Sequence, residues 1–411
     1  MAERRVFPGW IVLGAGMAII GTGMGTMFSL AVFLKPLEDD FGWGRSIVAG
    51  IALVNWLIFG VGGLVAGGLS DRFGARRVVS VGAALLGAAM LLSSRAGSAW
   101  QLYGAFGILG AAGASGFYVP LTATVTHWFV ARRGLALGLL NAGIGVGILA
   151  VPPLGRALIT ALGWRPTMAL FGLGTWAVAL LLVPRLADRP ADRGLQPYGG
   201  SAAEAGPRRP TPDLDTREVV THPAFWLLAV IHFGCCAAHA GPIFHMVAHA
   251  MDLGVASMPA ATMLGLSGGT SIAGRIGSGL LADRFGAKQA LVGMLAFQAV
   301  TLSVYLGIQG ELPLFGAALL FGAAYGGAMP LYALVAREFF GERAIGTAFG
   351  GIFFISCIGM GLGAYGGGVI FDWLGSYWTL YLTSTLVGVA AVAVALALRP
   401  PEPVPLPAGG H

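Results

Sequence analysis

Long hydrophobic runs alternate with short polar stretches along the whole chain. Each run has about 20 residues or more, which is the length that an α-helix needs to cross the hydrocarbon core of a membrane. The runs lie at residues 9–34, 47–70, 77–97, 99–126, 134–160, 164–185, 223–251, 258–283, 288–308, 312–339, 344–372 and 376–398. The pattern therefore predicts an all-α integral membrane protein with twelve transmembrane helices.

One polar stretch is much longer than the others and divides the chain. Residues 186–222 are rich in proline, glycine and charged residues, which is typical of a linker. We therefore expect two pseudo-symmetric six-helix bundles, residues 1–185 and 223–399, joined by this linker. The Pro-rich tail at 400–411 is expected to be disordered.

Composition and charge give the orientation. Of 411 residues, 56% are hydrophobic and 10% are charged, which excludes an ordinary soluble domain. With both termini inside, 18 of the 24 lysines and arginines fall in cytoplasmic segments and 5 on the opposite side. This positive-inside bias predicts cytoplasmic termini and explains the net charge without a nucleic-acid partner. We expect a multi-pass protein of the inner membrane of a prokaryote.

The sequence carries no signal for a cofactor or for catalysis. The cysteines Cys235, Cys236 and Cys357 have no metal-ligand spacing, and no glycine loop of the ATP-binding kind is present. The hydrophobic runs hold no paired catalytic groups, and no soluble output domain is recognisable. We therefore expect no metal and no cofactor, and we favour a transporter over an enzyme or a receptor.

The two halves repeat each other. The stretch Asp71–Arg76 recurs as Asp283–Lys288, 212 residues later. Two parallel repeats of six helices are typical of a carrier that rocks about a site near the membrane midplane. At the same offset the partner of Arg275 is Gly63, so the symmetry is broken at the charge. We therefore expect the chemistry to lie in the C-terminal half.

Arg275 is a charge deep within the eighth hydrophobic run. If Asp283 marks the water interface, Arg275 lies eight residues inside, about 12 Å at 1.5 Å per residue. That is near the centre of a hydrocarbon core about 30 Å thick, where a guanidinium costs about 2.5–3.5 kcal/mol. A cavity with an anionic ligand would offset this cost. The alternative is an arginine held by backbone carbonyls or by a partner acid.

Several motifs resemble one family of carriers. The twelve runs, the six-plus-six repeat and the loop at Asp71–Arg76 resemble the major facilitator superfamily. The stretch Phe129–Ala136, FVARRGLA, is similar to one found before the fifth helix of monocarboxylate and oxalate/formate transporters. Pro8–Trp10 and Ser29–Lys35 resemble the first helix of the same group. That group carries a substrate-binding arginine in the eighth helix, which corresponds to Arg275.

One departure from that family narrows the substrate. Oxalate carriers of this type place a lysine in the eleventh helix, whereas the only lysines here are Lys35 and Lys288. One cation matches one carboxylate, so we expect a small monocarboxylate such as L-lactate or pyruvate, carried with a proton. An antiporter of organic anions and an exporter of amphiphiles remain alternatives. We expect the protein to work as a monomer in the lipid bilayer.

Candidate binding residues follow from their depth, their chemistry and the resemblance. Hydroxyl and amide groups within the hydrophobic runs can donate to a carboxylate, and apolar side chains can contact a short alkyl tail. Core packing or helix–helix hydrogen bonding is the competing interpretation for each of them. The candidates besides Arg275 are Tyr118, Tyr325, Ser271, Asn141, Phe28, Ile144 and Phe353.

The proton has no obvious carrier, because the acidic residues all fall in loops, at helix ends or in the tail. A histidine titrates near physiological pH, and the seventh run contains His232, His239, His245 and His249. His245 and His249 share a helical face, and we expect Gly241-Pro242 to break the helix just before them. This pair is the predicted proton site. A protonated substrate, or transport without a proton, remains an alternative.

The repeated loops suggest a second function. In the superfamily, such loops make charge contacts with neighbouring helix ends and stabilise one conformational state. The resemblance therefore predicts a gating role for Asp71, Arg72, Asp283 and Arg284. The positive-inside rule alone would explain the arginines but not the paired aspartates.

Overall fold

The computed structural model describes residues 7–200, 214–308, 310–341 and 345–401, with side chains from 348 onwards in the last range. Within these ranges, twelve long helical segments form the molecule. They are α1 (Pro8–Phe41), α2 (Arg45–Phe73), α3 (Ala75–Ser93), α4 (Ala99–Trp128), α5 (Arg133–Leu162), α6 (Trp164–Leu182), α7 (Pro223–Asp252), α8 (Ser257–Phe285), α9 (Ala287–Val304), α10 (Glu311–Phe340), α11 (Ile345–Leu374) and α12 (Trp378–Ala397).

Eleven helices of the described ranges are long and apolar enough to cross a membrane. The remaining long helix is α8, which is as long as its neighbours but contains Arg275 and many glycines and serines. It is shielded on both sides, because it packs against α5 and α10. The all-α membrane fold with twelve helices is thus confirmed.

The helices form two halves, α1–α6 and α7–α12. Within the halves, the largest contacts join α1 to α5, α7 to α11 and α8 to α10. The halves meet along two seams, where α2 packs against α11 and α5 packs against α8. The ends at which α1 begins and α12 finishes lie on one side, here called the terminal end. The opposite side, which carries the loop after α1, is called the distal end.

Two glycines show how closely the helices approach. A Cβ on Gly147 of α5 would lie 2.0 Å from the carbonyl oxygen of Gly21 in α1. A Cβ on Gly274 of α8 would lie 2.0 Å from the carbonyl oxygen of Ala323 in α10. Neither position has room for a side chain, so glycine allows backbone contact there. The second contact fixes α8 directly beside Arg275.

The structure differs from the sequence-based expectation within α7. This helix runs without a break from Pro223 to Asp252, so the predicted break at Gly241-Pro242 is wrong. Close packing explains the continuity, because a Cβ on Gly241 would lie 2.8 Å from the carbonyl oxygen of Gly363 in α11. Proline is tolerated inside a membrane helix where neighbouring helices support the backbone.

The ends of the predicted linker are held by the two halves. The indole nitrogen of Trp128 donates to the carbonyl of Ala187 at 2.7 Å, and the Tyr198 amide donates to the carbonyl of Trp128 at 2.9 Å. A short helix, Thr216–Thr221, precedes α7. The first part of the predicted linker therefore packs on the N-terminal half.

Candidate functional site

A cavity lies between the two halves. It has a volume of about 90 Å³, measured as the space open to the centre of a water-sized sphere. Helices of both halves supply its wall, which is mostly aromatic and aliphatic with a few polar groups. The lining residues are Met24, Phe28, Trp56, Phe59, Tyr118, Asn141, Ile144, Ile148, His232, Cys236, His239, Ile243, Arg275, Tyr325, Met329, Phe349, Phe353, Ser356, Cys357 and Met360.

Arg275 reaches this cavity from α8. Its Nε atom is buried and has no hydrogen-bond partner among the described residues. The ion pairs of the described residues do not include it either. A buried charge without a partner is strongly unfavourable, so the guanidinium is available for an anion that enters the cavity. The alternative of a partner acid for Arg275 finds no support in the described part of the chain.

Tyr118 and Asn141 face Arg275 from the N-terminal half. The Tyr118 hydroxyl donates to Asn141 Oδ1 at 3.2 Å, and the Asn141 amide donates to the carbonyl of Leu137 at 2.9 Å. The Tyr118 ring stacks on Phe353 of α11, with 5.7 Å between the ring centres. The tyrosine therefore joins the polar groups of the cavity to its apolar wall.

The C-terminal half adds a second hydroxyl. Tyr325 of α10 lines the cavity, and its buried hydroxyl has no hydrogen-bond partner among the described residues. Its ring lies nearly parallel to that of His239, at 5.6 Å between centres. An unpaired buried hydroxyl costs free energy, and a carboxylate beside Arg275 would be an acceptor for it.

The apolar wall is a chain of aromatic rings. Phe28 of α1 meets Trp56 of α2 edge to face at 5.8 Å, and Trp56 meets Phe59 in the same way at 5.6 Å. Phe59 then meets Phe353 at 6.2 Å between ring centres. Such edge-to-face contacts hold aromatic side chains in fixed positions. The wall thus crosses the seam between α2 and α11.

Most of the predicted binding residues come together here. Arg275, Tyr118, Tyr325, Asn141, Phe28, Ile144 and Phe353 all line the one cavity. Ser271 does not. It is fully buried, donates to the carbonyl of Gly268 at 2.6 Å, and packs against Gly326 of α10. Ser271 therefore lies behind the cavity wall, in the contact between α8 and α10.

The histidines of α7 divide into two groups. His232 and His239 line the cavity. The predicted pair does not, since His245 lies toward the distal end, with Nδ1 at 2.9 Å from the Tyr377 hydroxyl and Nε2 at 3.0 Å from the carbonyl oxygen of Ala364. His249 packs on the rings of Tyr377 and Tyr381. The structure thus separates the predicted proton site from the binding residues.

A cluster of charges closes the distal end. Arg45 of α2 is 2% exposed and makes a two-pronged ion pair with Asp252 of α7, one prong at 2.9 Å. Arg45 also donates to the Tyr377 hydroxyl at 2.8 Å, and Lys35 lies 3.4 Å from Asp252. Glu38 pairs with both cations. These contacts join the two halves.

One aspartate of this region supports a helix from across the seam. The carboxylate of Asp372 in α11 accepts hydrogen bonds from the backbone amides of Arg45 and Ser46, both at 2.9 Å. These amides open α2, whose own N-cap residue, Gly44, offers no side chain. A carboxylate at a helix N-terminus is stabilising, and here it comes from the other half of the protein.

The predicted gating residues lie at the terminal end and are exposed. Asp71, Arg72, Asp283 and Arg284 make no ion pair with another residue of the described ranges. Each arginine instead lies over the ring of the phenylalanine that follows it, at 5.1 and 5.3 Å. Their gating role stays a prediction.

Sequence reasoning missed the distal cluster and much of the cavity wall. In the sequence, Arg45 is one of the five cations on the side opposite the termini, and Asp252 follows the seventh hydrophobic run. The available signal was a cation and an acid on the same predicted side of the membrane. For Trp56 and the methionines no signal existed, since an apolar side chain in a hydrophobic run reveals neither its partner nor its direction.

Two helical halves with a cavity between them are the architecture of a membrane transporter. The family model of the Major Facilitator Superfamily matches residues 11–364 and 278–410. The chain belongs to this superfamily, in the group that contains the monocarboxylate transporters.

Named relatives agree with this assignment. Monocarboxylate transporter 3 of Rattus norvegicus is 30% identical over 397 residues, which is 93% of this chain and 78% of the relative. Monocarboxylate transporter 13 of Bos taurus is 28% identical, covering 92% of this chain and 87% of the relative. An uncharacterized MFS-type transporter of Bacillus subtilis (strain 168), YcxA, is 27% identical and covers 89% of each chain.

A solved structure shares the fold. The crystal structure of a bacterial homolog of the human lysosomal transporter Spinster, in an inward-facing and occupied conformation, superposes with a TM-score of 0.73. It is 17% identical and covers 94% of this chain and 96% of the other.

Proposed function

We propose that this protein is a secondary transporter of small monocarboxylates of the L-lactate or pyruvate kind, which it carries together with a proton by alternating access. One observation carries the proposal: the cavity between the halves contains Arg275, a cation without a partner in the described part of the chain. A substrate carboxylate is the natural partner, because a guanidinium grips a carboxylate through two parallel hydrogen bonds.

The other groups of the cavity suit the rest of such a substrate. The hydroxyl of Tyr325 can donate to the carboxylate or to a 2-hydroxyl or 2-oxo group, and that of Tyr118 can do so when it turns from Asn141 Oδ1 to the substrate. A volume of about 90 Å³ open to the centre of a water-sized sphere leaves room for a small substrate. The aromatic wall from Phe28 to Phe353 would contact a short alkyl group.

Alternating access has a physical basis in the charges of the two ends. With both termini in the cytoplasm, the distal end is the outer face, and the pair of Arg45 and Asp252 closes it. The loops with Asp71 and Asp283 are exposed at the inner face. Opening the outer face would break the distal pairs, and closing the inner face would bring the exposed loops against neighbouring helices. The localisation in a prokaryotic inner membrane is part of this proposal.

One observation favours a second candidate, exchange of organic anions without a proton. Among the residues that line the cavity there is no aspartate or glutamate to carry a proton. An exporter of large amphiphiles is less well supported, because the cavity is small.

The test is uptake of labelled L-lactate into proteoliposomes, with and without an inward proton gradient, for the wild type and for Arg275→Gln. We expect uptake that rises with the gradient and is lost in the variant. Uptake that ignores the gradient but needs an internal anion would establish exchange instead. If L-lactate is not taken up, a panel of other small acids follows, and Arg275-independent uptake of all of them would contradict the proposal.

A further inference from the structure

His232 is an unexplained polar group in the cavity. Its side chain is 2% exposed, and both ring nitrogens are buried without a hydrogen-bond partner among the described residues. The ring stacks on Tyr332 at 3.7 Å between centres. Stacking fixes the plane of the imidazole but satisfies neither nitrogen. Buried polar groups are normally paired. The unpaired nitrogens of His232 therefore either only lower the stability of the protein or serve to bind a proton or a ligand.

His239 lies seven residues further along the same face of α7, with Arg275 in the same cavity. Its Nδ1 is 3.9 Å from Cys235 Sγ, which is a weak contact. The Cys235 thiol donates to Gln298 Oε1 at 3.4 Å, and the Gln298 amide donates back to the Cys235 carbonyl at 3.1 Å. Cys235 and Gln298 thus satisfy each other directly beside the His239 ring.

Among the described residues that line the cavity, these two imidazoles are the only side chains whose ordinary pKa lies near neutral pH. The groups that face them come from four helices. They are Cys235 and Cys236 of α7, Arg275 of α8, Tyr325 and Tyr332 of α10 and Cys357 of α11. The only permanent charge in this set is that of Arg275.

A single fixed cation makes proton binding depend on the substrate. In the empty cavity the guanidinium of Arg275 opposes a second positive charge on an imidazole. A bound carboxylate neutralises Arg275 and removes this opposition, so anion and proton bind cooperatively, and each favours the other to the same extent. The loaded cavity then has the same net charge as the empty one, so both forms can reorient at similar electrostatic cost.

We propose that the cavity-facing histidines of α7, His232 and His239, form the proton-binding site of the transporter, in place of His245 and His249. The inference rests on the proposed monocarboxylate transport and identifies the site at which the coupled proton binds. His245 is unsuited to this role, because both of its ring nitrogens already have partners within the distal cluster.

The experiment compares five purified proteins in proteoliposomes. They are the wild type, Arg275→Gln, the double variant His232→Asn/His239→Asn, the double variant His245→Asn/His249→Asn, and His127→Asn. His127 is an exposed histidine at the end of α4 and serves as the matched control. Two readouts are taken: exchange of labelled monocarboxylate against unlabelled acid at equal pH on both sides, and accumulation driven by an inward gradient of one pH unit.

Coupling of one proton to one anion gives roughly tenfold accumulation for one pH unit. We expect this accumulation in the wild type and in His127→Asn. In His232→Asn/His239→Asn we expect it to fall to about onefold while exchange continues. A pH-sensitive dye inside the vesicles should report acidification that accompanies uptake in the wild type. Proteins that do not accumulate the acid should show no such acidification. The single variants then show which imidazole contributes more.

The outcomes separate the two proposals. The proposed proton site is overturned if tenfold accumulation persists in His232→Asn/His239→Asn. It is also overturned if accumulation is lost in His245→Asn/His249→Asn and in no other histidine variant. A wild type that exchanges the acid through Arg275 but never accumulates it also overturns the site, while the substrate assignment stands. Exchange that is indifferent to Arg275→Gln would instead refute the proposed function. If the double variant loses exchange as well, His→Gln replacements at both positions repeat the measurement, and loss of exchange there too counts against a purely proton-binding role.

Discussion

Arg45 and Arg275 both lie in long helices of the described structure, and their surroundings are opposite. Arg45 at the distal end has Asp252, Glu38 and the Tyr377 hydroxyl as partners, and its guanidinium lies 3.6 Å above the centre of the Phe371 ring. Arg275 in the central cavity has no hydrogen bond or ion pair with any described residue at its buried Nε. The guanidinium of Arg45 thus has several partners, whereas the Nε of Arg275 has none among the described residues.

The difference distinguishes a charge that stabilises contacts within the protein from a charge that is available to a ligand. The ion pair between a buried arginine and a bidentate acid is costly to break, and an arginine held in this way does not bind anything else. A buried arginine without a partner destabilises the empty protein and is stabilised by an incoming anion. The distal pair joins the two halves, whereas in the proposed function Arg275 is the group that binds the substrate. The predictions below test this distinction.

The largest effect is expected at Arg275. In Arg275→Lys the positive charge is kept, but the planar group that binds a carboxylate through two hydrogen bonds is lost. Uptake of the monocarboxylate should fall about 10- to 100-fold, while the apparent melting temperature in detergent stays near that of the wild type or rises. Near-normal uptake would show that the geometry of the guanidinium is not used.

The distal pair should behave in the opposite way. Arg45→Met or Asp252→Leu leaves a charge in the cluster without its main partner, at a cost of about 2 kcal/mol or more. The double variant should recover much of this loss, because no uncompensated charge remains. Arg165→Met removes the exposed pair with Asp40 and should cost less than about 1 kcal/mol. Melting curves of the four variants check the comparison, and additive single losses would contradict it.

The position of Arg275 should depend on backbone contact between α8 and α10. Gly274→Ala places a Cβ against Ala323, and the helices must separate at a cost of about 1–3 kcal/mol. We expect a higher KM for uptake together with lower stability. Gly277→Ala in the same helix is the control, since an added Cβ there meets nothing within 4 Å. Equal behaviour of the two variants would refute this account.

A smaller effect is expected at the polar edge of the cavity. Tyr118→Phe removes the hydroxyl that donates to Asn141 but keeps the ring on Phe353. Affinity for the monocarboxylate should fall about 2- to 10-fold, the value of one ordinary hydrogen bond. Competition binding measures it. If the loss also occurs with an uncharged substrate analogue, the hydroxyl serves the fold rather than the anion.

The smallest effect on stability is expected at the terminal end. Asp71→Asn and Asp283→Asn change exposed side chains without ion pairs in the described structure, so the unfolding free energy should change by about 0.5 kcal/mol or less. If these aspartates hold the state that is closed at the inner face, the uptake rate will nevertheless fall. Unchanged uptake in both variants would remove the predicted gating role.

The polar residues that line the cavity were in part predictable, for a reason visible in Arg275. A charge in the middle of a hydrophobic run is a strong signal, because membrane insertion makes it costly. Tyr118, Tyr325 and Asn141 were recognisable as scarce polar groups at similar depth. Ser271 shows the limit of such reasoning, since it shares the run and roughly the face of Arg275 but turns its hydroxyl back to Gly268.

The sequence by itself determined the membrane fold, and it predicted the division into two halves and the depth of Arg275. All three depend on hydrophobicity and charge along the chain, which act locally and need no knowledge of neighbours. The tertiary structure alone decided that His232 and His239 face the cavity, whereas His245 faces Tyr377. It also decided that Arg45 meets Asp252. These facts depend on the rotation of each helix about its axis and on contacts between segments 207 residues apart, which the packing of all twelve helices fixes together.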